Sequence, residues 1–377
     1  MKQQEVKVGL FFPTFNGGGA ERMMVNLAKG LHKQGISVVI YVVNNVGPYI
    51  EEVPVGVEII SYNAKRGVKS VIHKIRKTLK HDGLTDLIST PMHLNAAVGM
   101  ASIGLKTKPN LIFREANTPS KALEGKLSQL FYSSVYTLAD KYVAVSEGVK
   151  VDMVEFFKLS KEKVSVVYNP VVDDDIFVKM AEEIPENTWF QDSATAVILG
   201  IGSFTPQKGF EDLIDAFLLT RAKYNCRLVI LGDKKVGSSY FEFIKDKIDK
   251  SDYREDILLP GFVNNPFKYL SNADVFVLSS KYEGLPGVLI QALACGCSVV
   301  STDCPSGPRE VLNNGEFGAL VEVGNVKALS DELCKVLKSP NNNKEYLQKR
   351  ALEFSVKNSV KGYIDLFVGV SQNSSSL

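Results

Sequence analysis

The stretch that most constrains this chain runs from Asp274 to Gly296. It reads Asp274-Val275-Phe276-Val277-Leu278, then Ser279-Ser280-Lys281-Tyr282-Glu283-Gly284-Leu285-Pro286-Gly287, then Val288-Leu289-Ile290-Gln291-Ala292-Leu293-Ala294-Cys295-Gly296. An apolar strand run, a turn with Gly, Pro and Gly, and an apolar helix make one βα unit of a parallel sheet. The first amides of a helix have no carbonyl partners, and its aligned peptide dipoles make that end positive. A glycine turn entering a helix is therefore a place for an anion, phosphate above all. Glu283 stands just before the turn, beside any ligand there. Gln291 lies about two helical turns further on, near the same face. A βα unit that binds nothing has the same pattern, so these residues alone leave both readings open.

The pattern recurs. Residues 6–12 read as a buried strand, Asn16-Gly17-Gly18-Gly19-Ala20-Glu21-Arg22 as a glycine turn, and 23–31 as a helix. Successive glycines let the backbone pass close to a ligand and present N–H groups to it. Further on, the strand 196–202 passes through Ser203-Phe204-Thr205-Pro206-Gln207-Lys208-Gly209-Phe210 into a helix over 211–222. Other strand patterns fall at 37–43, 57–60, 87–89, 111–113, 141–145 and 164–168, and again at 227–231, 257–260, 298–301 and 317–321. Ser146 suits a helix N-cap. Helical patterns close the chain at 327–337 and 344–367. Asn169-Pro170 breaks the first array, and 171–193 is polar, acidic and irregular, which predicts a linker. The expected domains are residues 1–170 completed by a helix near 355–377, the linker 171–193, and residues 194–354.

A length of 377 residues suffices for two such domains. A net charge of +2 gives no basic excess for nucleic acid, and no apolar run approaches the roughly 20 residues of a membrane span. The first residues lead straight into a strand and do not resemble a signal peptide, which predicts a cytoplasmic protein. Five cysteines inside α/β elements fit a reducing compartment. Cys295 and Cys297, one residue apart with no histidine nearby, read as small buried thiols rather than metal ligands. Asp173-Asp174-Asp175 has the Asp-x-Asp form of some metal sites, but it lies away from any glycine turn and reads as solvated acids.

One helix has an unusual charge pattern. Val68, Val71, Ile72, Ile75 and Leu79 form an apolar stripe. The opposite face, from Lys65 to Lys80, is basic, and no acid occurs between Ser61 and His81. It is either a solvated face or a surface drawn to anionic lipid headgroups.

The stretch Glu283–291 is similar to the signature of the GT4 family of retaining glycosyltransferases, usually Glu, seven residues, then Glu; here Gln291 replaces the second Glu. Gly18-Gly19-Ala20-Glu21-Arg22 resembles the family's amino-terminal loop, and Val143-Ala144-Val145-Ser146 the segment closing its first domain. The resemblance runs over nearly the whole chain. It implies the GT-B fold: two Rossmann-like, doubly wound α/β domains facing across a cleft, with a C-terminal helix crossing back to the first.

The resemblance also implies a reaction. A sugar, hexose or N-acetylhexosamine, passes with retention from a UDP-sugar to a saccharide acceptor on a polyprenyl diphosphate carrier, in bacterial surface polysaccharide, lipopolysaccharide or capsule assembly. It implies no metal and no cofactor besides the UDP-sugar substrate, and a peripheral position on the inner face of the plasma membrane. Glu283, Lys208 and Glu115 are the catalytic candidates. Nucleotide-sugar contacts fall on Gly17, Gly18, Gly19, Ser203, Lys208, Phe262, Val263, Glu283, Gly284, Leu285, Pro286, Gly287, Val288 and Gln291. Ser203 occupies a position that is Arg in the family, with Arg309 a possible substitute for the lost charge. The family histidine expected after Arg114 is absent; Glu115, Asn117 and His93 are the alternatives there. A nucleotide-binding protein without activity and a GT-B sugar-nucleotide epimerase are the other readings.

Overall fold

The computed structural model describes residues 6–16, 19–65, 67–123, 125–184, 188–192, 194–233, 238–340 and 343–367. The chain divides into two compact units, Met1–Val171 with Ser355–Leu377, and Val172–Phe354.

The first unit alternates strand and helix: β1 (Lys7–Phe12), α1 (Gly19–Lys33), β2 (Ser37–Val42), β3 (Glu58–Ser61), α2 (Ile72–His81), β4 (Asp86–Ser89), α3 (Met92–Ser102), β5 (Asn110–Glu115), α4 (Pro119–Ala122), α5 (Lys126–Tyr136), β6 (Lys141–Ala144), α6 (Glu147–Phe157) and β7 (Val164–Val166). The strands form one parallel sheet in the order β3-β2-β1-β4-β5-β6-β7. Beyond their first residue, β1 and β2 are wholly buried. Such a sheet is covered on both faces, which is why its strands read as unbroken apolar runs. Ser146 caps α6, accepting from Val149 N at 3.2 Å.

The second unit holds α7 (Asp174–Lys179), β8 (Ala196–Ile201), α8 (Phe210–Arg221), β9 (Cys226–Leu231), α9 (Ser239–Asp249), β10 (Ile257–Gly261), α10 (Phe267–Asn272), β11 (Val275–Leu278), α11 (Gly287–Ala294), β12 (Val299–Thr302), α12 (Pro308–Val311), β13 (Ala319–Val321), α13 (Val326–Lys338) and α14 (Lys344–Leu352). Its sheet is also parallel, in the order β10-β9-β8-β11-β12-β13. The winding reverses between β1 and β4 in one sheet and between β8 and β11 in the other, and ligands of such sheets sit at the strand ends beside that point. The last helix, α15 (Val356–Ile364), belongs to the first unit.

Two expectations need revising. The segment 171–193 does not stand apart as a linker, because from Val172 onward it is part of the second unit. Asp173 caps α7 by accepting from Ile176 N, while Asp174 and Asp175 are exposed. Asn265 Nδ2 donates to Lys179 O (2.8 Å) and Ser271 Oγ to Met180 O (2.9 Å), and Ile176 is buried. The helical pattern at 344–367 is two helices. Phe354 is buried, its carbonyl accepts from Val172 N, and Ser355 starts a new helix by accepting from Asn358 N. The chain changes units at that break.

The basic segment is a 3₁₀ turn, Val68–Val71, continued by α2, with Val71, Ile75 and Leu79 buried. Two of its cations serve the unit itself. Lys74 Nζ donates to Tyr62 O (2.7 Å), and Arg76 to Ala101 O (2.9 Å) and Ile103 O (2.7 Å). Lys65, Lys69, Lys77 and Lys80 are exposed, and Arg66 lies outside the described residues. No described helix is long and apolar enough to cross a membrane.

Candidate active site

The functional side chains of the second unit gather where β8 and β11 end. Leaving β8, the chain turns at Gly202 and Ser203, makes a 3₁₀ turn at Pro206–Lys208 and enters α8. Leaving β11, it runs through Ser279 and Glu283 to Pro286 and enters α11 at Gly287. Lys208 Nζ lies 2.6 Å from Glu283 Oε1, which also accepts from Ser280 Oγ at 2.6 Å. The Glu283 side chain is 9% exposed and that of Lys208 20%. A buried carboxylate is tolerated only where charge and donors compensate it, and Lys208 with Ser280 supply both. The Lys208 stem runs over Gly202, where a Cβ would stand 3.2–3.3 Å from three of its carbons.

The turns that follow three neighbouring strands are bonded to one another through glycine amides. Gly202 N donates to Leu231 O and Gly232 N to Gly261 O, both at 2.9 Å, so the ends of β8, β9 and β10 form one main-chain shelf. Phe262, just past β10, is 61% exposed, and Val263 is half-buried. Gly284, Leu285 and Pro286 are buried, whereas Gly287, Val288 and Gln291 keep solvent contact on the first turns of α11. Arg309 forms a two-pronged, exposed ion pair with Asp303, so it is committed to the surface. Cys304 is buried beside this site; burial and the nearby Glu283 push its thiol up to about 12. Cys295 is likewise held at about 12 by burial, and Cys297 is raised further.

In the first unit, Gly17 and Gly18 lie outside the described residues, and Gly19 opens α1. Arg22 of the same motif pairs with Glu52 at 3.3 Å and covers the Tyr49 ring. Glu115 ends β5 and is 3% exposed. Its Oε1 accepts from Asn95 Nδ2 (2.8 Å) and from Tyr136 Oη, and Asn95 Oδ1 accepts from Ser89 Oγ (2.6 Å). Burial raises its pKa to about 7, and the Tyr136 and Asn95 donors and Arg114 offset only part of that. His93, on the first turn of α3, is exposed, and partial loss of hydration lowers its pKa.

Sequence reasoning missed two parts of the site. Ser280 shares the Glu283 oxygen with Lys208. Glu211 accepts from Lys281 Nζ (2.7 Å) and from Tyr240 Oη, which ties the two active-site loops to α9. Glu211 opens the helix expected over 211–222, but its partners Lys281 and Tyr240 lie far away in sequence.

Two parallel Rossmann-like units, with a lysine and a carboxylate meeting at the switch point of the second, have the architecture of the GT-B class. Residues 17–175 match the family model Glycosyltransferase Family 4, and residues 183–354 match Glycosyl transferases group 1. The chain belongs to the GT4 family of glycosyltransferases and is a hexosyltransferase by that membership. It is similar to the N-acetylgalactosamine-N,N'-diacetylbacillosaminyl-diphospho-undecaprenol 4-alpha-N-acetylgalactosaminyltransferase of Campylobacter jejuni, 29% identical over 91% of this chain and 93% of that one. An uncharacterized glycosyltransferase of Methanocaldococcus jannaschii is 30% identical over 66% of this chain and 68% of its own length. The crystal structure of Anabaena HepE with UDP and glucose shares the fold, with a TM-score of 0.79 and 16% identity over 96% of this chain and 99% of that one.

Proposed function

We propose that this enzyme transfers a hexose or N-acetylhexosamine, with retention, from a UDP-sugar to a saccharide on a polyprenyl diphosphate carrier, in bacterial surface-glycan assembly. The observation that carries this is the Lys208–Glu283 pair at 2.6 Å, at the switch point and beside the start of α11. Cleaving the anomeric C–O bond puts negative charge on the departing β-phosphate and oxocarbenium character on the sugar. Lys208, the Ser203 hydroxyl and the amides of Leu285, Gly287 and Val288 receive the phosphate. Fixed donors of this kind contribute roughly 2–4 kcal/mol each. Glu283 accepts from donor-sugar hydroxyls and stands near the positive sugar. Gln291 bonds the ribose, and the main chain at Phe262 and Val263 meets the base. The departing phosphate takes the acceptor proton.

Lys208 and the helix dipole provide the positive charge, so turnover in EDTA is expected to match turnover without it. The names of the Campylobacter relative and of the HepE complex support, respectively, a lipid-linked acceptor and a UDP donor. Such an acceptor calls for a peripheral place on the inner face of the plasma membrane, where the exposed lysines of 65–80 meet anionic headgroups.

The test is a panel of labelled UDP-sugars with and without a polyprenyl-diphosphate saccharide. Slow UDP release stimulated by the acceptor, with an α-configured product from an α-linked donor, is the expected result. Binding without release would identify an inactive nucleotide binder, and an isomerised sugar nucleotide an epimerase. Glu283→Ala should abolish transfer while UDP binding is largely kept; unimpaired turnover would remove Glu283 from the mechanism.

A further inference from the structure

The most exposed cluster of large apolar side chains on a described helix lies outside the active site, on α5. Leu127 is 84% exposed, Leu130 64% and Phe131 46%. Their spacing of three and four residues puts them on one stripe of the helix, while Val135 and Tyr136 turn into the unit. Three exposed apolar side chains in one stripe differ from the single exposed ones that any surface carries, and such a patch marks a contact with something apolar. Among its own residues α5 carries Lys126 and no acid, and Lys121 is exposed one turn before it. Neighbouring α6 carries Glu147, Asp152 and Glu155 beside Lys150, and Asp152 accepts from Ser120 N at 3.0 Å.

The charge around the stripe decides what covers it. Right-handed crossovers from β3 to β4, β4 to β5 and β5 to β6 carry α2, α3 and α5 over the same face of the sheet. In that layer α3 packs against both α2 and α5. The exposed lysines of α2 and its lead-in turn, Lys69, Lys77 and Lys80, therefore share a side of the unit with the apolar stripe. An apolar ridge together with cations is complementary to an anionic bilayer, which offers headgroup charge above and acyl chains below.

We propose that α5 is the membrane-inserting element of this chain, with Leu127, Leu130 and Phe131 entering the acyl boundary of an anionic bilayer and the α2 lysines assisting by charge. The choice of partner rests on the lipid-linked acceptor proposed above, but the surface itself does not depend on it. Binding by charge alone would vanish at high salt; insertion of the stripe leaves a salt-resistant part.

The experiment is flotation of the full chain with phosphatidylcholine vesicles and with vesicles containing phosphatidylglycerol, at low and high salt. The wild type should favour the anionic vesicles and keep a measurable fraction bound at high salt. Leu127→Ser with Leu130→Ser changes only exposed positions, so the fold is expected to stay. It should lower partition roughly tenfold or more and remove the salt-resistant fraction. Hydrolysis of the UDP-sugar in solution should be unchanged, which separates failure of this proposal from failure of the enzymatic one. Unaltered vesicle binding by the double variant would overturn the assignment. So would a wild-type dimer that becomes a monomer in the variant while vesicle binding is unmoved, because the stripe would then be covered by a second copy.

Discussion

The carboxyl of Glu115 is held at the end of β5 by Asn95 and Tyr136, in a site that raises its pKa from 4.5 to about 7 by burial. The folded state therefore binds a proton that the unfolded chain has already lost between those values, and stability falls as pH rises through that window. At roughly 1.4 kcal/mol per pKa unit, the group removes about 3 kcal/mol between pH 4.5 and 7. Glu115→Gln keeps the shape without the titration. In urea unfolding it should be more stable than the wild type at pH 8 and show no such gain at pH 4; parallel pH profiles would refute the buried proton. Its turnover separates this structural part from the catalytic one that the sequence reading gave it. Lys208 poses the opposite case, a charge expected to face the ligand. Lys208→Met should lower kcat/KM for the UDP-sugar roughly 100- to 1000-fold, and Lys208→Arg should recover part of it. Lys208 and Glu283 were legible because their residue types sit in glycine turns of recognisable spacing. The Ser280 bond to Glu283 was not, since a serine in a turn carries no signal of its own partner.

The two loops that bear this pair are fastened to each other along their length. Ser279 Oγ donates to Lys208 O (2.8 Å), Lys281 N to Gln207 O (2.8 Å) and Gln207 Nε2 to Tyr282 O (2.9 Å). Gly209 is at the tightest point. Its φ is +61°, and a Cβ there would lie 2.3 Å from Ser279 O, a backbone atom that cannot turn aside. Gly209→Ala should therefore cost about 1–3 kcal/mol in the second unit and part the loops, lowering kcat at least tenfold with a smaller change in KM. Steady-state kinetics beside thermal unfolding would show it, and wild-type kinetics would mean the loops are not coupled through this contact. The sequence pattern located both loops by their glycines. That they touch follows from β8 lying next to β11, a pairing across 75 residues between Lys208 and Glu283 that no local pattern encodes. The same limit explains the segment 344–367, where periodicity continues through Phe354 while packing and the Ser355 cap divide it.

At the scale of the molecule, the chain leaves its first unit at Val171 and comes back to it at Ser355, so that unit is completed only after the whole second unit has been made. What receives the returning helix is specific. Gly30 on α1 leaves room for α15: a Cβ there would stand 2.3 Å from Val360 Cγ2 and 2.9 Å from Val356 Cγ1. Ser359 Oγ donates to Tyr168 O (2.6 Å) and Lys141 Nζ to Leu366 O (2.5 Å), while Val360, Tyr363 and Phe367 join the core of the first sheet. The two-array pattern and the return of the last helix were expectations of the sequence and its family likeness; the residue that makes room for it was not, because a glycine inside a helix reads only as a weak spot. Gly30→Val fills that room. It should displace α15, lower the stability of the first unit by about 1–3 kcal/mol through overpacking, and open the chain near Ser355 to proteases. The nucleotide site proposed above is built on the second unit alone, so UDP affinity measured by titration should stay within a few-fold of wild type. Undiminished protease resistance would mean that α15 does not depend on this contact, and loss of UDP binding in step with the first unit would mean that the second unit does not hold its nucleotide site by itself.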